Sequence, residues 1–422
     1  MKVLWLCNIM IPAIAKSLGL PYSNREGWLT GIYERMRQEE HEKIELGICF
    51  PVDKGCKSGR VHMQTAVCYA FEEDLSAPER YAEDLEEEFR RILADFQPDM
   101  VHIFGTEFPH TLAMVKAFGR PERTLVGIQG LCFACAGEYM ADIPEYVQNR
   151  VTFRDWLKKD SIKEQQEKFM LRGEHEIEAL KMAGHITGRT EFDRQEVKRL
   201  NDGALYHFMN ETMREPFYRG KWNIEECVPY SIFLSQGDYP LKGFHYVLRA
   251  MSIVLESCPA TRIYVAGNSI TDKKTIKDRI KLSSYGKYLL ELIKENHLED
   301  KVEILGRLTA EEMKEQFLKS SVFVCPSSIE NSPNSIGEAM LLGVPVVAAK
   351  TGGIPSLIED ESEGLLYPAG NVDKLAEAIL RVWTEQEKTL VRAEAARNRA
   401  IITHDADINY KRLLEIYREI CV

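Results

Sequence analysis

The chain has 422 residues and a net charge of −11, and at roughly 100–200 residues per domain this length suggests two or three domains. A net-acidic chain argues against a general nucleic-acid-binding protein, which carries a basic face. Hydrophobic residues make up 45% and charged residues 28% of the chain, as in folded soluble domains, and no apolar run reaches the ~18 residues of a membrane-spanning helix.

The first segment, Met1 to Cys7, is short and apolar and lacks a small-residue cleavage site. We therefore interpret it as a β-strand and not as a secretory signal peptide. Several of the ten cysteines lie inside apolar runs, where a reduced thiol behaves as a small hydrophobic group. Cys132 and Cys135 form a single C-x-x-C pair without nearby histidines, so we expect no metal there and predict a cytoplasmic protein.

Short apolar runs alternate with amphipathic stretches along the chain, a pattern typical of parallel sheets covered by helices on both faces. The predicted strands are 3–7, 44–50, 61–70, 100–104, 124–129, 185–190, 205–208, 231–235, 262–266, 302–305, 322–325, 344–348 and 364–367. A predicted helix over 81–96 repeats apolar residues at helical spacing, and we interpret its acidic run as a solvent-facing surface.

The alternation restarts after a polar and aromatic segment without a strand pattern. We predict an α/β protein with two doubly wound parallel-sheet domains, residues 1–212 and 230–404, joined by a linker at 213–229. A final amphipathic stretch, 405–422, is expected to pack back on the first domain. Ligands of such sheets bind outside the carboxyl ends of the strands, so two facing domains predict a cleft between them.

The segment from Val322 to Gly370 carries the strongest chemical signal. A buried strand ends before Pro326, and a helix is predicted over 334–342, with Ser332 as its N-cap and Gly343 as its C-cap. The N–H groups at the start of this helix form a site for an anion.

Two carboxylates flank that anion site, Glu330 before the helix and Glu338 in its second turn, with the spacing E-x7-E. Carboxylates repel phosphate, so they are better suited to accept hydrogen bonds from hydroxyls. A ligand that carries both phosphate and hydroxyls, such as a sugar nucleotide, matches both halves of the site.

This segment resembles the donor-site signature of family-four retaining glycosyltransferases of the GT-B class. The residues that extend the likeness beyond E-x7-E are Ala339-Met340, Gly343, Pro345-Val346-Val347, Gly352-Gly353, Gly364, Pro368 and Asn371-Val372-Asp373-Lys374-Leu375. The resemblance implies the GT-B architecture, two Rossmann-like domains facing across a cleft. The N-terminal domain would bind the acceptor and the C-terminal domain the nucleotide-sugar donor.

The resemblance also implies roles for single residues. Glu330 would bind hydroxyls of the donor sugar and Glu338 the ribose, while backbone amides near Asn334 and Ser335 would hold the diphosphate. The expected donor-binding set is Gln236, Gly237, Arg307, Leu308, Asn331, Asn334, Ser335, Ile336 and Glu338. In such enzymes the leaving diphosphate helps to deprotonate the incoming hydroxyl, so no cofactor, metal or protein base is implied, and the nucleotide base stays open.

A second element of the resemblance follows the strand at 231–235. There the family has an arginine and a lysine that neutralise the diphosphate. Lys242 matches the lysine and is expected to be catalytic together with Glu330, but Gln236 stands at the arginine position. An amide supplies no charge, so either Arg262 or Arg307 compensates or the diphosphate is stabilised less.

The first domain matches the family in layout only. Gly27, followed by Trp28, is what remains of a glycine-rich turn that approaches the donor phosphates in relatives, and Gln129 stands where many relatives have histidine. Glu107 and Arg189 follow predicted strands and are candidates for substrate contact. The alternative for both is a buried structural ion pair or cap.

Other polar residues are interpreted conservatively. Glu211 and Arg214 are weaker substrate-contact candidates, His102 and His185 are expected to be core histidines, and His110 is interpreted as a loop residue without a role. Asp405-Ala406-Asp407 has the form of a metal-binding D-x-D motif, but its place before the last helix favours a capping role. We predict no metal site.

Basic and aromatic residues alternate between Arg150 and Arg172. This stretch is either an ordinary solvated helix with an apolar face or a patch that contacts an anionic membrane surface. Because many relatives act on lipid-linked carriers, a lipid-linked acceptor and peripheral attachment at the inner membrane face stay open.

The predicted function is a retaining, hexosyl-type transferase that moves a sugar from a nucleotide diphosphate to a hydroxyl of a saccharide acceptor in polysaccharide or glycoconjugate assembly. Two alternatives stay open. Gln236 and Gln129 favour a non-catalytic sugar-nucleotide-binding subunit, and a GT-B-fold epimerase or phosphorylase would need no acceptor sugar. No nucleic acid is expected as a partner.

Overall fold

A computed structural model describes residues 1–17, 27–38, 44–53, 59–63, 66–271, 275 and 280–421. The strands of the first sheet are β1 (Lys2–Cys7), β2 (Glu45–Asp53), β3 (Gly59–His62), β4 (Val67–Glu73), β5 (Met100–Phe104), β6 (Thr124–Gly127), β7 (His185–Gly188) and β8 (Leu205–Phe208). Those of the second sheet are β9 (Val228–Leu234), β10 (Arg262–Ala266), β11 (Val302–Gly306), β12 (Ser320–Cys325), β13 (Val346–Lys350) and β14 (Leu365–Pro368). The predicted α/β class with two doubly wound parallel sheets is confirmed.

The α-helices cover both faces of these sheets as the alternating pattern requires. In the first 200 residues they are Pro12–Ser17, Gly27–Gln38, Asp84–Phe96, His110–Phe118, Cys132–Gly137, Glu145–Gln148, Phe153–Lys158, Ile162–Met182 and Glu191–Leu200. Later in the chain they are Phe244–Ser257, Ser284–Glu295, Ala310–Lys319, Asn334–Leu342, Ile354–Leu357, Val372–Thr384, Gln386–Thr403 and Ala406–Cys421.

The first sheet has the strand order β3-β4-β2-β1-β5-β6-β7-β8, and its pairs are parallel except that β3 runs antiparallel to β4. The single strand predicted over 61–70 is wrong, because this segment folds back as the β3–β4 hairpin. Along the chain β2, β3 and β4 lie on one side of β1, with β4 between β2 and β3, and the strands from β5 onward are added on the other side. The strand order therefore reverses between β1 and β5.

The second sheet has the order β11-β10-β9-β12-β13-β14, and every recorded pair in it is parallel. Here the order reverses between β9 and β12, where Phe233 lies opposite Phe323. Such reversal points are where doubly wound sheets open a crevice at the carboxyl ends of their strands.

Alternate residues of β1 enter two different cores. Val3 and Trp5 join a cluster that includes the last helix through Leu413 and Tyr417, whereas Leu4 joins the cluster on the opposite face of the sheet. This alternation follows from the two-residue period of a strand. The last helix is fixed further by a 2.8 Å hydrogen bond from the Trp5 indole to the Tyr417 hydroxyl.

The described contacts divide the chain into two compact units. Unit 1 comprises Met1–Ala134, Lys168–Arg214 and His404–Val422, and unit 2 comprises Cys135–Glu167 and Glu215–Thr403. The segment 135–167 therefore packs with the second sheet, although the sequence pattern assigns it to the first domain. Among the described helices, none combines the length and apolar character needed to cross a membrane.

Candidate active site

The reversal point of the second sheet brings together two loops that are far apart in sequence. After β9 the chain forms a short 3-10 helix, Pro240–Lys242, and after β12 it forms the loop that carries Glu330. Because β9 and β12 are neighbours in the sheet, Lys242 and Glu330 meet although 88 residues separate them.

Close backbone packing holds the two loops side by side. The Ser328 N–H donates to the Leu241 carbonyl at 2.9 Å, and a β-carbon at Gly243 would overlap the carbonyl oxygen of Pro326. Gly243 has φ +68°, a conformation that glycine adopts without the steric cost paid by other residues. Glycine is therefore required at this crossing of the two loops.

The peptide of Glu330 is fixed in a similar way. Its carbonyl accepts a 2.9 Å hydrogen bond from the Gly353 N–H, and a β-carbon at Gly352, which has φ +50°, would overlap the same oxygen. The Gly352-Gly353 pair thus sets the position of a carboxylate that lies well before it in the sequence.

Lys242 and Glu330 form an ion pair that is mostly removed from water. The lysine ammonium donates to Glu330 Oε1, and the side chains are only 20% and 14% exposed. The Ser327 hydroxyl donates to the same carboxylate oxygen at 2.8 Å, and the ammonium lies 5.7 Å from the centre of the Tyr239 ring. Ser327 and Tyr239 were not predicted as site residues.

Two opposing effects act on the pKa of Lys242. Burial lowers it, but the nearby Glu330 carboxylate and, to a smaller extent, Tyr239 raise it, and the net result lies well above the ordinary lysine value. Lys242 therefore remains a cation at neutral pH, as a group that faces phosphate must.

The helix that follows Glu330 has the predicted bounds, Asn334–Leu342, and ends at Gly343 with φ +75°. Its N-cap is Pro333 and not Ser332, and proline provides no side-chain cap. The helix dipole makes this end favourable for an anion. Glu338 lies on the helix and is 4% exposed.

Three hydrogen bonds join the polar residues that follow the three strands β9, β10 and β11. Gln236 donates to Asp238 at 2.9 Å, Asn268 donates to Asp238 at 2.6 Å, and Arg307 donates to Asn268 at 2.7 Å. Arg307 is thus linked to the loop of Gln236. The expectation for Arg262 is wrong, because it begins β10 at the opposite, amino end and donates to the Asp300 carbonyl.

The other predicted donor residues lie on the same loops and helix. Gly237 is buried against Val265, and Asn331 is buried beside Glu330. The Ile336 side chain is fully buried, and its N–H donates to the Pro333 carbonyl at 3.0 Å, so Ile336 contributes packing. Ser335 follows Asn334 in the first helical turn, and Leu308 follows Arg307 after β11.

At the carboxyl ends of the strands in the first sheet, an ion pair and a hydrogen bond connect three of the predicted residues. Arg189 pairs with Glu211 at 3.2 Å with both side chains buried, and Gln129 donates to Glu211 at 2.6 Å. Arg189 thus adopts the buried ion pair given above as its alternative role. Gly27 and Trp28 begin the helix Gly27–Gln38, and the turn before them, 18–26, lies outside the described residues.

Glu107 is half-buried and belongs to a separate polar cluster. Asn8 donates to its Oε2 at 3.1 Å, and the Gly130 N–H donates to its Oε1 at 2.9 Å. The interpretation of His110 as a loop residue is wrong, because it begins the helix His110–Phe118 and is fully buried. Asn8 and His110 gave no motif, and only the fold reveals that they meet.

The histidines and aspartates that we interpreted as structural have structural partners. His102 is fully buried, and its ring lies 2.7 Å from the Tyr417 hydroxyl, while His185 lies 2.9 Å from the ring of His207. Asp405 accepts the Ile408 N–H at 2.8 Å, which is a cap of the last helix.

Part of the chain matches a known protein family. Residues 215–399 match the family model "Glycosyl transferases group 1". The amylovoran biosynthesis glycosyltransferase AmsK of Erwinia amylovora is 33% identical over 130 residues, which are 29% of this chain and 32% of that protein. The chain therefore spans about a third of the length of this relative.

Solved structures match along the whole chain. Sucrose-phosphate synthase from Thermosynechococcus elongatus superimposes with a TM-score of 0.69 at 14% identity, covering 100% of this chain and 99% of that one. Anabaena Alr3699/HepE in complex with UDP-glucose gives 0.64 at 16% identity, covering 99% and 100%. The chain is therefore a GT-B-fold protein whose residues 215–399 match the glycosyl transferases of group 1.

Proposed function

We propose that the protein transfers a sugar, of hexosyl type, from a nucleoside diphosphate to a hydroxyl of a saccharide acceptor, with retention of anomeric configuration. The observation that carries this proposal is the Lys242–Glu330 pair at the reversal point of the second sheet, beside the start of the helix Asn334–Leu342. A half-buried cation, a helix N-terminus and two carboxylates suit a ligand that carries both phosphates and hydroxyls.

In the proposed reaction, the bond between the anomeric carbon and the diphosphate oxygen breaks while a bond to the acceptor oxygen forms on the same face. The proton of the acceptor hydroxyl passes to the leaving diphosphate. Lys242 and the helix N-terminus would stabilise the charge that develops on that leaving group. Glu330 would orient the donor sugar and Glu338 the ribose, and the proposal needs no metal or other cofactor.

The nucleotide-sugar donor is tested with a panel of UDP-, GDP- and ADP-sugars. We expect one of them to raise the midpoint of thermal unfolding, because a ligand that binds only the folded protein stabilises it. The same compound should be hydrolysed slowly without an acceptor, and Glu330→Ala should abolish that hydrolysis. Glu377→Ala, which changes a surface carboxylate paired with Lys374, is the matched control.

The two alternatives give different results in this assay. A sugar-nucleotide-binding subunit would bind a donor tightly without turnover. An epimerase would release free products, and a phosphorylase would require inorganic phosphate. Either pattern in place of slow, Glu330-dependent hydrolysis would reject the transferase.

A second proposal concerns attachment to the inner face of a membrane and a lipid-linked acceptor. The helix Phe153–Lys158 has inverted polarity: Asp155 is fully buried, whereas Phe153, Trp156 and Leu157 are 60–67% exposed. The buried Asp155 accepts the Ser284 N–H at 2.9 Å, which fixes this orientation of the helix. The apolar side chains therefore remain in water unless a partner covers them.

The charged residues around this helix indicate what kind of partner would cover its exposed apolar side chains. Arg150 pairs with Glu291, and Arg154 pairs with Asp160. Lys158 and Lys159 remain exposed at the end of the apolar helix. Exposed aromatic and aliphatic residues beside lysines suit the surface of an anionic bilayer, and we infer a cytoplasmic protein that binds such a surface peripherally.

Sedimentation with vesicles tests this attachment. We expect binding to vesicles that contain anionic phosphatidylglycerol and weak binding to pure phosphatidylcholine, with loss of binding on Trp156→Ala and on Lys158→Glu with Lys159→Glu. Val391→Ala changes an exposed apolar residue elsewhere in the same unit and should have no effect. Binding that survives the double lysine reversal would contradict the proposal.

A further inference from the structure

A polar cluster occupies the reversal point of the first sheet, outside the residues discussed for donor binding. Asn8 follows β1 and Glu107 follows β5, the two strands between which the strand order reverses. Doubly wound sheets bind ligands at this position. No role for the cluster follows from the match to residues 215–399.

Four side chains form a continuous chain of hydrogen bonds there. Glu73 Oε2 lies 2.7 Å from His110 Nδ1, and His110 Nε2 lies 2.9 Å from Asn8 Oδ1. Asn8 Nδ2 then donates to Glu107 Oε2 at 3.1 Å. Every link joins a residue from a different strand end or helix, so the chain depends on the tertiary fold.

The donor and acceptor atoms of each side chain determine the direction of these hydrogen bonds. A carboxylate accepts only, so the Asn8 amide must direct its NH₂ group to Glu107 and its oxygen to His110. His110 must then donate from Nε2. Its Nδ1 lies 2.7 Å from a second carboxylate, that of Glu73.

The first three members are deeply buried, whereas the last is not. Glu73, His110 and Asn8 are at most 7% exposed, and their hydrogen bonds to one another offset part of the cost of burying them, although Glu73 Oε1 has no hydrogen-bond partner among the described residues. Glu107 is half-buried. The three buried side chains therefore support the Glu107 carboxylate, which reaches solvent at the carboxyl end of the sheet.

The backbone leaves space for the last hydrogen bond. Gly105 has φ +98°, and a β-carbon there would overlap both the Asn8 amide nitrogen and Glu107 Oε2. The Gly130 N–H holds the other carboxylate oxygen at 2.9 Å, and Arg172 donates to the Glu107 carbonyl at 2.8 Å. The carboxylate is thus held in one orientation from several sides.

We propose that Glu107 binds a hydroxyl of the saccharide acceptor, and that Asn8, His110 and Glu73 are positioning residues that fix its carboxylate. This inference rests on the proposed transferase function. The described hydrogen bonds use one acceptor position on each oxygen of Glu107, and a carboxylate has about four such positions. A neutral polyol is the ligand class that donates to a carboxylate without bringing charge.

The experiment uses the full chain and three surrogate acceptors, the octyl glycosides of glucose, galactose and mannose below their micelle concentrations. Glycoside binding is measured by calorimetry, and hydrolysis of UDP-glucose is measured separately without acceptor. The variants are Glu107→Gln and Asn8→Asp, which directs a second carboxylate at Glu107. Tyr417→Phe, which removes buried hydrogen bonds of the same unit far along the chain, is the control.

We expect the wild-type protein to bind at least one glycoside, and both variants to weaken that binding by about tenfold or more, as loss of a charge-assisted hydrogen bond implies. UDP-glucose hydrolysis by the control Tyr417→Phe should stay within about twofold of that by the wild-type protein. Tyr417→Phe should lower the unfolding midpoint without changing glycoside affinity.

The double variant Asn8→Asp with Glu107→Gln separates positioning from folding. The amide introduced at position 107 can donate to the carboxylate introduced at position 8, so the unfolding midpoint should recover while glycoside affinity stays low. Unchanged affinity in Glu107→Gln and Asn8→Asp, equal loss in Tyr417→Phe, or no glycoside binding by the wild type would overturn the inference. Glu107-dependent glycoside binding without hydrolysis of any nucleotide sugar would instead reject the transferase and keep this site.

Discussion

At the scale of single residues, the Lys242–Glu330 pair indicates how an acidic chain could bind the diphosphate of the proposed donor. The protein has a net charge of −11, and the ammonium of Lys242 is neutralised by Glu330. A diphosphate would compete with Glu330 for this ammonium, and the carboxylate would then be available to sugar hydroxyls. The same contact thus links the two ends of the proposed donor.

Lys242→Ala tests this coupling. We expect transfer or donor hydrolysis to slow by more than about tenfold, because the leaving group loses its cation and Glu330 is left partly buried without one. Steady-state turnover of the donor is the measurement.

Lys314→Ala is the matched control for that variant. Lys314 is 12% exposed, lies in the same unit and pairs with Glu311, but it belongs to the helix Ala310–Lys319 and not to the site. Near-wild-type turnover in Lys242→Ala, or an equal loss in Lys314→Ala, would exclude Lys242 from the mechanism.

Some residues of the Lys242–Glu330 site and of the Asn8–Glu107 cluster could be predicted from the sequence, and others could not, for a physical reason. Glu330 and Glu338 belong to one local segment whose spacing carries a chemical meaning. His110 and Asn8 meet only because β1 and β5 are neighbours in the sheet, and spacing along the chain gives no sign of that pairing. Arg262 begins β10 at the amino end of the strand, so it lies away from the loop of Gln236 and cannot compensate for its missing charge.

At the scale of elements, two glycines that follow the helix Asn334–Leu342, one at its C-cap and one after β13, provide a matched pair. Both have positive φ, but a β-carbon at Gly343 would meet only the Arg397 side chain at 3.5 Å, whereas one at Gly352 would overlap the Glu330 carbonyl. We expect Gly343→Ala to cost about 1–2 kcal/mol through backbone strain alone, with donor affinity unchanged.

Gly352→Ala should cost more than Gly343→Ala and should also weaken donor binding, because the Glu330 loop must move. Urea unfolding and donor titration of both variants measure the two effects. Equal stability and equal donor affinity in the two variants would show that the close approach at Gly352 is not what positions Glu330.

The helix Ala406–Cys421 offers a second test at this scale. Leu413 is fully buried in the core that contains Trp5, so Leu413→Ala should cost about 2–5 kcal/mol. Ile408→Ala, at a site that is 54% exposed on the same helix, should change the unfolding free energy little. A small cost for Leu413→Ala in urea unfolding would mean that this helix is not part of the core.

The positions of the strands were easier to predict from the sequence than the way in which the strands pair. The alternation of apolar runs located the strands Met100–Phe104, Leu205–Phe208 and Arg262–Ala266 with the bounds observed. It failed at 61–70, because two short apolar segments that are close together in sequence resemble one strand when their hydrogen-bond partners are unknown. Hydrophobic period identifies an element, but hydrogen-bond partners decide where a strand reverses.

At the scale of the whole molecule, buried titratable groups couple stability to pH in opposite directions. Burial raises the pKa of Glu176 to about 8, so the folded protein retains a proton that the unfolded chain releases above about pH 4.5. Burial lowers the pKa of His102 to about 3, and that of His245 and His404 to about 4. These histidines are protonated on unfolding below about pH 6.5.

Stability should therefore decline on both sides of a maximum near pH 6.5. The Glu176 contribution is full below about pH 4.5 and is lost as pH rises to about 8, whereas the histidine contributions are full above about 6.5 and are lost on acidification. We expect Glu176→Gln to flatten the decline between pH 6.5 and 8 in urea unfolding, and to steepen the loss of stability between about pH 6.5 and 4.5, where the Glu176 contribution opposes that of the histidines. An unaltered alkaline slope in this variant would contradict the assignment.

The discontinuity of unit 1 has a consequence for the order of synthesis. The ribosome makes the first sheet before residues 215–403, but Leu413, Ile416 and Tyr417, which complete one of its cores, are made only after them. Residues 215–403, by contrast, contain every strand of the second sheet, so unit 2 can fold while unit 1 is incomplete. During translation, apolar side chains on β1 such as Val3 and Trp5 await their partners until the last helix emerges, and this nascent surface is where we expect chaperones to bind.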